Sequence, residues 1–340
     1  MNRKRILLIG GTGSMGFYLT ELLLKQNYQV EVAAIAPGEI QHPNLQYFIL
    51  DARDIGNLTR LLETRPAAVI DFLDYKPAEY RKRCELFLRN TKHYFFLSSY
   101  RVYTDLDPVT TEESPLQKDA APDLAFRNSD DYAIYKAQNE EILCAMPYDH
   151  WTIVRPSIIF SKFSLPLTSL GANCIYNRAM EKKPTLIADS AVEVQSTCTW
   201  SGDVAKLFAG LLFRPDTFRE TYSLCTGEHR TWGEWAKVYR ELIGLETWTI
   251  PQEEFEGIYW NRAQWALYQF RYDRMLNRVL DNSKVLKAAG LTQSDLTPVW
   301  KALEFELRRF PADYRFPGGE ELNANMDRYL SGGGTILRKF

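Results

Sequence analysis

The sequence predicts an α/β protein with a doubly wound parallel sheet and a smaller, mixed but mainly helical C-terminal substrate lobe. Two observations support this fold class. A glycine-rich turn at residues 10–16 directly follows an apolar run, and apolar runs then alternate with helical patterns up to residue 155. Apolar runs about 20–30 residues apart, with helices between them, favour βαβ units and a parallel sheet. Right-handed crossovers would place helices on both faces of that sheet.

The glycines of the first turn have the spacing of a nucleotide-binding loop: Gly10, Gly13 and Gly16. Glycine lets the chain bend sharply and brings backbone N–H groups close to a pyrophosphate at a helix N-terminus. The spacing alone is common in ordinary turns. It indicates a nucleotide-binding loop here because it lies between a predicted strand and a predicted helix. A strand–helix turn without a ligand is the alternative.

The other elements of this part follow from the spacing of apolar residues. In the first helix Leu19, Leu22 and Leu23 share one face, whereas the strands are short apolar runs. The predicted strands are residues 6–9, 30–35, 45–50, 67–73, 94–98 and 151–155. The predicted helices are residues 15–25, 55–63, 79–89 and 130–145.

After residue 155 the alternation loosens, and a second region begins. We predict a sheet domain over residues 1–155, rejoined by parts of 190–226, where residues 221–224 form a returning strand. The substrate lobe covers 156–330, and residues 331–340 form a loose tail. The tryptophans of the later helical region are expected in the core of the lobe. They are Trp232, Trp235, Trp248, Trp260 and Trp265.

Composition and charge narrow the function classes. The chain has 340 residues, 45% of them apolar, which is enough for a large core. A net charge of −2 gives no strong attraction to nucleic acid or anionic membranes. The five cysteines and four histidines are scattered. We therefore expect neither a disulfide framework nor a metal site.

No stretch of the sequence is long and apolar enough to span a membrane. The basic start, residues 1–5, is similar to the beginning of a signal peptide. The apolar run behind it is short and ends in glycines, so a first strand is the better interpretation. A cytoplasmic protein is expected.

Three polar side chains form a candidate proton-transfer site. Tyr132 and Lys136 lie four residues apart on a predicted helix and share a face. A free phenol has a pKa near ~10, and a nearby ammonium favours the phenolate, so the pair could move a proton on a substrate hydroxyl. Ser99 follows a predicted parallel strand, where its hydroxyl would face the ligand crevice and orient the substrate oxygen. A turn or N-cap serine is the alternative.

Together these motifs resemble the extended short-chain dehydrogenase/reductase family, also called the NAD-dependent epimerase/dehydratase family. The glycine turn, Asp51 after the third strand, the Ser-Ser-x-x-Val-Tyr segment of residues 98–103 and the Tyr132/Lys136 pair occur in the family's order. Residues 112–116, 154–156, 201–205 and 281–284 resemble further landmarks of the family. The resemblance therefore covers most of the chain.

The resemblance implies an NAD(P)-binding Rossmann domain and an NAD(P)-dependent oxidoreductase or epimerase that transfers hydride at a hydroxyl- or keto-bearing carbon. Tyr132 would exchange the proton of the substrate oxygen, and Ser99 would hold that oxygen. Lys136 would bind the nicotinamide ribose and lower the pKa of Tyr132. The implied cofactor-binding residues are Gly10, Thr12, Gly13, Ser14, Met15, Gly16, Asp51, Ala52, Leu73, Tyr132, Lys136 and Pro156.

The partners follow from the same resemblance. Tyr75, Tyr100 and Arg101 are expected to face a small-molecule substrate. Family members are frequently dimers through the helix that carries the Tyr/Lys pair, so a homodimer is a further expectation. Two other functions stay open on this fold: a catalytically silent dinucleotide-sensing regulator and an RNA-binding protein. The retained Tyr132 argues against the first, and the near-neutral charge argues against the second.

Departures from the family pattern leave the substrate and the cofactor open. Ser196 stands where many sugar-nucleotide members carry an arginine for the substrate diphosphate, and a serine cannot replace that fork. Tyr100 and Arg101 replace the Asp-Glu pair of the 4,6-dehydratases. Residues 32–37 lack both the acid that selects NAD and a cation for the 2′-phosphate of NADP. NAD and NADP are therefore both retained.

Overall fold

The computed structural model describes residues 3–259, 264–311 and 313–340. Its strands, in chain order, are β1 (Arg5–Ile9), β2 (Gln29–Ala34), β3 (Leu45–Ile49), β4 (Ala68–Asp71), β5 (Tyr94–Leu97), β6 (Trp151–Pro156), β7 (Ile158–Phe160), β8 (Thr185–Ala188), β9 (Gln195–Ser196), β10 (Cys198–Trp200), β11 (Glu220–Leu224), β12 (Arg230–Thr231), β13 (Thr247–Ile250) and β14 (Arg338–Lys339).

The α-helices are α1 (Ser14–Lys25), α2 (Ile55–Glu63), α3 (Pro77–Asn90), α4 (Gln117–Ala120), α5 (Leu124–Arg127), α6 (Tyr132–Cys144), α7 (Arg178–Met180), α8 (Ser201–Leu211), α9 (Trp232–Ile243), α10 (Gln252–Tyr259), α11 (Gln264–Gln269), α12 (Ser283–Ala289), α13 (Val299–Leu307) and α14 (Glu320–Ser331). Within the described ranges, none of them has the length and apolar content needed to cross a bilayer.

Seven strands form one sheet in the order β11-β6-β5-β4-β1-β2-β3, and every neighbouring pair is parallel. Ile6 of β1 lies opposite Val30 of β2 on one side and Ala68 of β4 on the other. The strand order reverses at this point, which is where ligands bind in open parallel sheets. The predicted doubly wound α/β sheet is confirmed.

Apolar side chains cover both faces of the sheet because successive residues of a strand point in opposite directions. Leu8 packs in a cluster with α1 and α8, whereas Leu7 packs with α2, α3 and α6. Both leucines are fully buried. A strand buried on both faces reads as a continuous apolar run, which explains the sequence pattern of β1.

The later part of the chain packs around a further apolar cluster, which includes Trp232 and Trp235 and also takes in Tyr103 and Ala137 of the earlier part. Trp248 is only half-buried and packs against this cluster. Trp265 is 66% exposed, so its prediction as a core residue is wrong. Its neighbours Ala266 and Leu267 take the buried side of the short helix α11 instead. Trp260 lies outside the described residues.

The C-terminal residues are held against the lobe, in contrast to the loose tail predicted for residues 331–340. β14 pairs antiparallel with β13, which also pairs in parallel with β8. The N–H groups of Leu337 and Phe340 donate to the carbonyls of Thr249 and Thr247, both at 2.8 Å. These hydrogen bonds cover the open edge of β13 and account for the order of the tail.

Candidate active site

The glycine turn between β1 and α1 requires glycine for steric reasons. Gly10 has φ +71°, and its N–H donates to Ala33 O at 2.7 Å. A Cβ atom on Gly11 would lie 2.8 Å from Leu8 Cβ, and one on Gly16 would lie 2.3 Å from Gly11 O. The turn is therefore packed against β1 and cannot accept side chains at these positions.

The start of α1 has no side-chain cap and borders open space. Its N-cap is Gly13, which contributes no side-chain cap. The hydroxyl of Ser14 forms hydrogen bonds with Ser161 Oγ at 2.6 Å and with Ser201 Oγ at 2.8 Å. Among the residues that the structure describes, no atom lies within 4 Å of a Cβ atom placed on Gly13, so the space beside this residue is open. First-turn N–H groups that face open space suit a pyrophosphate. Thr12 and Met15 flank this site and are half-buried.

The resemblance assigns the adenosine end of a dinucleotide to the residues that follow β2 and β3. Asp51 is exposed, and its Oδ1 accepts from Arg53 N at 2.8 Å, whereas Ala52 is buried beside α2. Ile35 follows β2 and is 81% exposed. An apolar side chain there offers neither a carboxylate to a ribose diol nor a cation to a 2′-phosphate.

The loop after β4 closes against the glycine turn. Leu73 packs toward Gly10, and Leu73 N donates to Asp71 Oδ1 at 3.0 Å. Burial raises the pKa of Asp71 to about 7, although Leu73 N–H and the charge of Lys136 oppose the shift. On the other side, Pro156 is the last residue of β6 and lies opposite Leu224. Leu73 and Pro156 therefore both lie at the carboxyl edge of the sheet.

Tyr132 is the first residue of α6 and Lys136 lies one turn later. The helix begins there because Asp131 accepts from Ala133 N at 2.9 Å as its N-cap. Lys136 is only 2% exposed, and its Nζ lies 5.4 Å from the centre of the Tyr132 ring. The same ammonium donates to Leu97 O at 2.8 Å and pairs with Asp74 Oδ1 at 3.1 Å. The amine is thus fixed beside the phenol by the end of β5.

Ser99 and Tyr132 face one cavity of about 410 Å³, together with Arg101. Ser99 follows β5, and its Oγ also accepts from Arg101 N at 3.2 Å as the N-cap of a short 3₁₀ helix. Both sequence interpretations of this serine, a cavity residue and a cap, therefore apply. The cavity lies at the carboxyl ends of β5 and β6, since Ser157 after β6 also lines it.

Two of the predicted substrate residues occupy supporting positions. Tyr75 is 2% exposed and packs in the apolar cluster beneath the sheet, with the Arg83 guanidinium 4.8 Å from its ring centre. Asn139 Nδ2 donates to Tyr75 O at 2.8 Å, which turns this loop inward and keeps the ring from the cavity. Tyr100 lines the cavity but is 3% exposed, because its hydroxyl donates to Asp273.

Sequence reasoning missed the part of the cavity that the lobe supplies. Arg274 and Thr168 line it, and Asp273 lies fully buried behind them. Arg274 donates to Tyr100 OH, to Asp273 and, at 2.9 Å, to Thr168 O. The only sequence signal is the arginine-rich stretch of residues 271–278 among aromatic neighbours. Charged side chains in such a setting indicate buried ion pairs or a ligand.

Ser196 is closed off from any ligand. It is 1% exposed, its Oγ donates to Arg230 O at 2.8 Å, and it accepts from Trp235 Nε1 at 3.1 Å. An arginine would not fit in this packed position. The serine that replaces the family's arginine at position 196 is therefore a packed core residue and not a ligand contact.

Several solved structures share this architecture. The UDP-glucose 4-epimerase of Thermus thermophilus, in complex with NAD, is 18% identical, with a TM-score of 0.66 over 89% of this chain and 98% of that one. The UDP-glucose 4-epimerase of Thermotoga maritima, with UDP-glucose, is 16% identical, with a TM-score of 0.64 over 89% and 97%. MoeE5 in complex with UDP-glucuronic acid and NAD is 16% identical, with a TM-score of 0.68 over 90% and 99%. At these identities the likeness establishes the fold.

No curated protein sequence matches the chain. The family described as "NAD dependent epimerase/dehydratase family" matches residues 6–224, which include the glycine turn, Ser99, Tyr132 and Lys136. The match covers more than half of the sequence and ends with β11, the last strand of the parallel sheet. The chain therefore belongs to the NAD-dependent epimerase/dehydratase family.

Proposed function

We propose that this protein catalyses hydride transfer at a hydroxyl- or keto-bearing carbon of a small molecule, as an oxidoreductase or epimerase. One observation carries the proposal: Ser99 and Tyr132 face the same cavity, with the Lys136 ammonium fixed behind the phenol. In this arrangement Tyr132 would serve as a proton donor and Ser99 as a hydrogen-bond donor at the ligand edge of the sheet. The family membership supports the same reaction class.

The residues at the carboxyl edge suit a dinucleotide. Gly10, Thr12, Gly13, Ser14, Met15 and Gly16 would hold its pyrophosphate, Asp51 and Ala52 its adenine, and Leu73, Lys136 and Pro156 its nicotinamide end. When bound, the nicotinamide ring supplies a donor and acceptor of hydride. We infer NAD or NADP, because Ile35 favours neither.

The side chains at the cavity would have separate roles in proton transfer. Ser99 Oγ would donate a hydrogen bond to the substrate oxygen and hold it beside Tyr132. Tyr132 would take the proton of that oxygen during oxidation and return it during reduction. Lys136 would stabilise the phenolate that accepts this proton and that forms again when the proton is returned, because its ammonium is buried and positioned by Leu97 O and Asp74.

Calorimetry with NADH and NADPH tests the proposal by measuring cofactor binding. Turnover assays come next, with UDP-glucose and UDP-glucuronic acid as the first substrates tried. We expect heat from at least one cofactor. A folded sample that gives heat with neither would remove the basis of the proposed reaction. Product analysis by NMR then separates epimerisation from net oxidation or reduction.

Two alanine substitutions in the glycine turn separate cofactor binding from folding. In Gly13→Ala the new methyl would project into open space, so the free energy of unfolding should change by less than about 0.5 kcal/mol. The same methyl would crowd a bound pyrophosphate, and overpacking of about 1–3 kcal/mol corresponds to a roughly fivefold to hundredfold loss of NADH affinity. Urea unfolding and calorimetry measure the two quantities.

Gly16→Ala is the matched control, because its methyl would overlap the Gly11 carbonyl at 2.3 Å. It should lower the free energy of unfolding by about 1–3 kcal/mol. Unchanged NADH affinity in a stable Gly13→Ala variant would contradict a pyrophosphate at this turn.

A further inference from the structure

Two arginines line the same cavity as Ser99 and Tyr132, and the proposed reaction gives them no role. We infer that Arg101 and Arg274 form a subsite for an anionic group, a carboxylate or a phosphate, carried by the substrate close to its reacting carbon. The inference rests on the proposed function, since it takes Ser99 and Tyr132 as the groups that hold the reacting oxygen.

Arg101 lies directly beside the proposed proton donor. Its guanidinium carbon is 5.2 Å from the centre of the Tyr132 ring, and its side chain is 12% exposed. Its Nη2 donates to Asp131 at 3.3 Å, and its Nε lies 3.6 Å from Asp273. A charge this close to Tyr132 can contact only a part of the substrate near the reacting carbon.

Arg274 reaches the cavity from the lobe and is held by three partners. Its Nε donates to Thr168 O at 2.9 Å, and its Nη1 donates to Tyr100 OH and to Asp273. The side chain is 14% exposed. A guanidinium fixed in this way loses little conformational entropy when it binds an anion.

One carboxylate, that of Asp273, is shared by three guanidinium groups beside the subsite, and the charge of Asp105 also acts on Arg278. The three groups belong to Arg101, Arg274 and Arg278. Asp131 also pairs with Arg101. Largely buried guanidinium groups that share one carboxylate would gain a second counter-charge from a bound anion.

Unpaired polar atoms point to the same ligand. Within the described ranges, no protein acceptor contacts Nη1 of Arg101 or Nη2 of Arg274. The hydroxyls of Thr168 and Ser169 are buried and likewise lack partners there, although both residues line the cavity. Two guanidinium groups that line the cavity and keep nitrogens free of protein acceptors suit an oxygen-rich ligand.

The backbone of Thr168 is strained. This β-branched residue has φ +50° and is 2% exposed, and its carbonyl accepts from Arg274. Such conformations persist where the surrounding structure enforces them, and they concentrate at ligand sites. The strained residue therefore positions Arg274 at the wall of the cavity.

A set of three related sugars tests the subsite in the presence of saturating NADH at constant ionic strength. Glucuronate carries a carboxylate, glucose 6-phosphate carries a phosphate, and glucose carries neither. We expect at least one anionic sugar to bind at least tenfold more tightly than glucose by calorimetry. Arg274→Met and Arg101→Met should each weaken that binding roughly tenfold to a hundredfold and leave glucose unaffected.

Arg271→Met is the matched control, since Arg271 is 47% exposed and pairs with Glu256 outside the cavity. It should retain the preference, and Arg274→Lys should retain only part of it, because lysine lacks the fork. Circular dichroism and NADH binding confirm that each variant folds. Equal binding of the three sugars, or a preference that survives both methionine substitutions, would overturn the subsite. If the wild type bound neither NADH nor NADPH, that result would instead refute the proposed function.

Discussion

Tyr132→Phe is expected to lower turnover by about 10²–10⁴-fold, the usual contribution of a positioned acid–base group. The phenylalanine ring fits the half-buried position at the start of α6, so only the exchangeable proton is lost. NADH affinity should remain, because the glycine turn lies on another part of the sheet edge. Turnover with any substrate found active, and calorimetry with NADH, measure the two effects.

Tyr148→Phe provides the control for this prediction. Its hydroxyl accepts from Arg89 Nε at 3.3 Å on the far side of α3, and Tyr148 does not line the cavity. It should keep wild-type turnover. If Tyr132→Phe also keeps it, another group moves the proton, and the role assigned to Tyr132 is wrong.

The fold could be predicted from sequence because each βαβ unit is contiguous. The apolar pattern places α2 at residues 55–63 and β2 within one residue of its observed ends. The Tyr132/Lys136 pair and the glycine turn are local patterns too, so their positions follow from single elements. Ser99 belongs to the same group, since it lies two residues after the end of β5.

The lobe side of the cavity could not be predicted in this way. Arg274 contacts Tyr100 across 174 residues, and no local pattern encodes that contact. Tyr75 is a second case: the resemblance predicts that it faces a substrate, but its ring is buried in an apolar cluster with the Arg83 guanidinium over it. Such side-chain directions depend on the tertiary neighbours of a loop and not on its position along the chain.

Asp71→Asn should change how stability depends on pH. The Asp71 carboxyl is 3% exposed at the end of β4, and burial raises its pKa from 3.8 to about 7. Asparagine keeps an oxygen that can accept from Leu73 N, but it does not ionise. We expect the variant to be more stable than the wild type at pH 8, with little difference near pH 4. Urea unfolding followed by tryptophan fluorescence from pH 4 to 8 measures this difference.

The sign of the effect follows from proton linkage. A carboxyl with a raised folded-state pKa contributes stability that is fully present below pH 3.8 and is lost as the pH rises through 7. Each pKa unit corresponds to about 1.4 kcal/mol, so the wild type should lose on the order of 4 kcal/mol relative to the variant. Glu193→Gln is the control, because the Glu193 side chain is 82% exposed and the substitution should leave the pH profile unchanged. A constant difference between wild type and Asp71→Asn would show that Asp71 is already ionised at pH 4. Its buried environment would then have to stabilise the carboxylate through Leu73 N–H and Lys136 more strongly than burial opposes it.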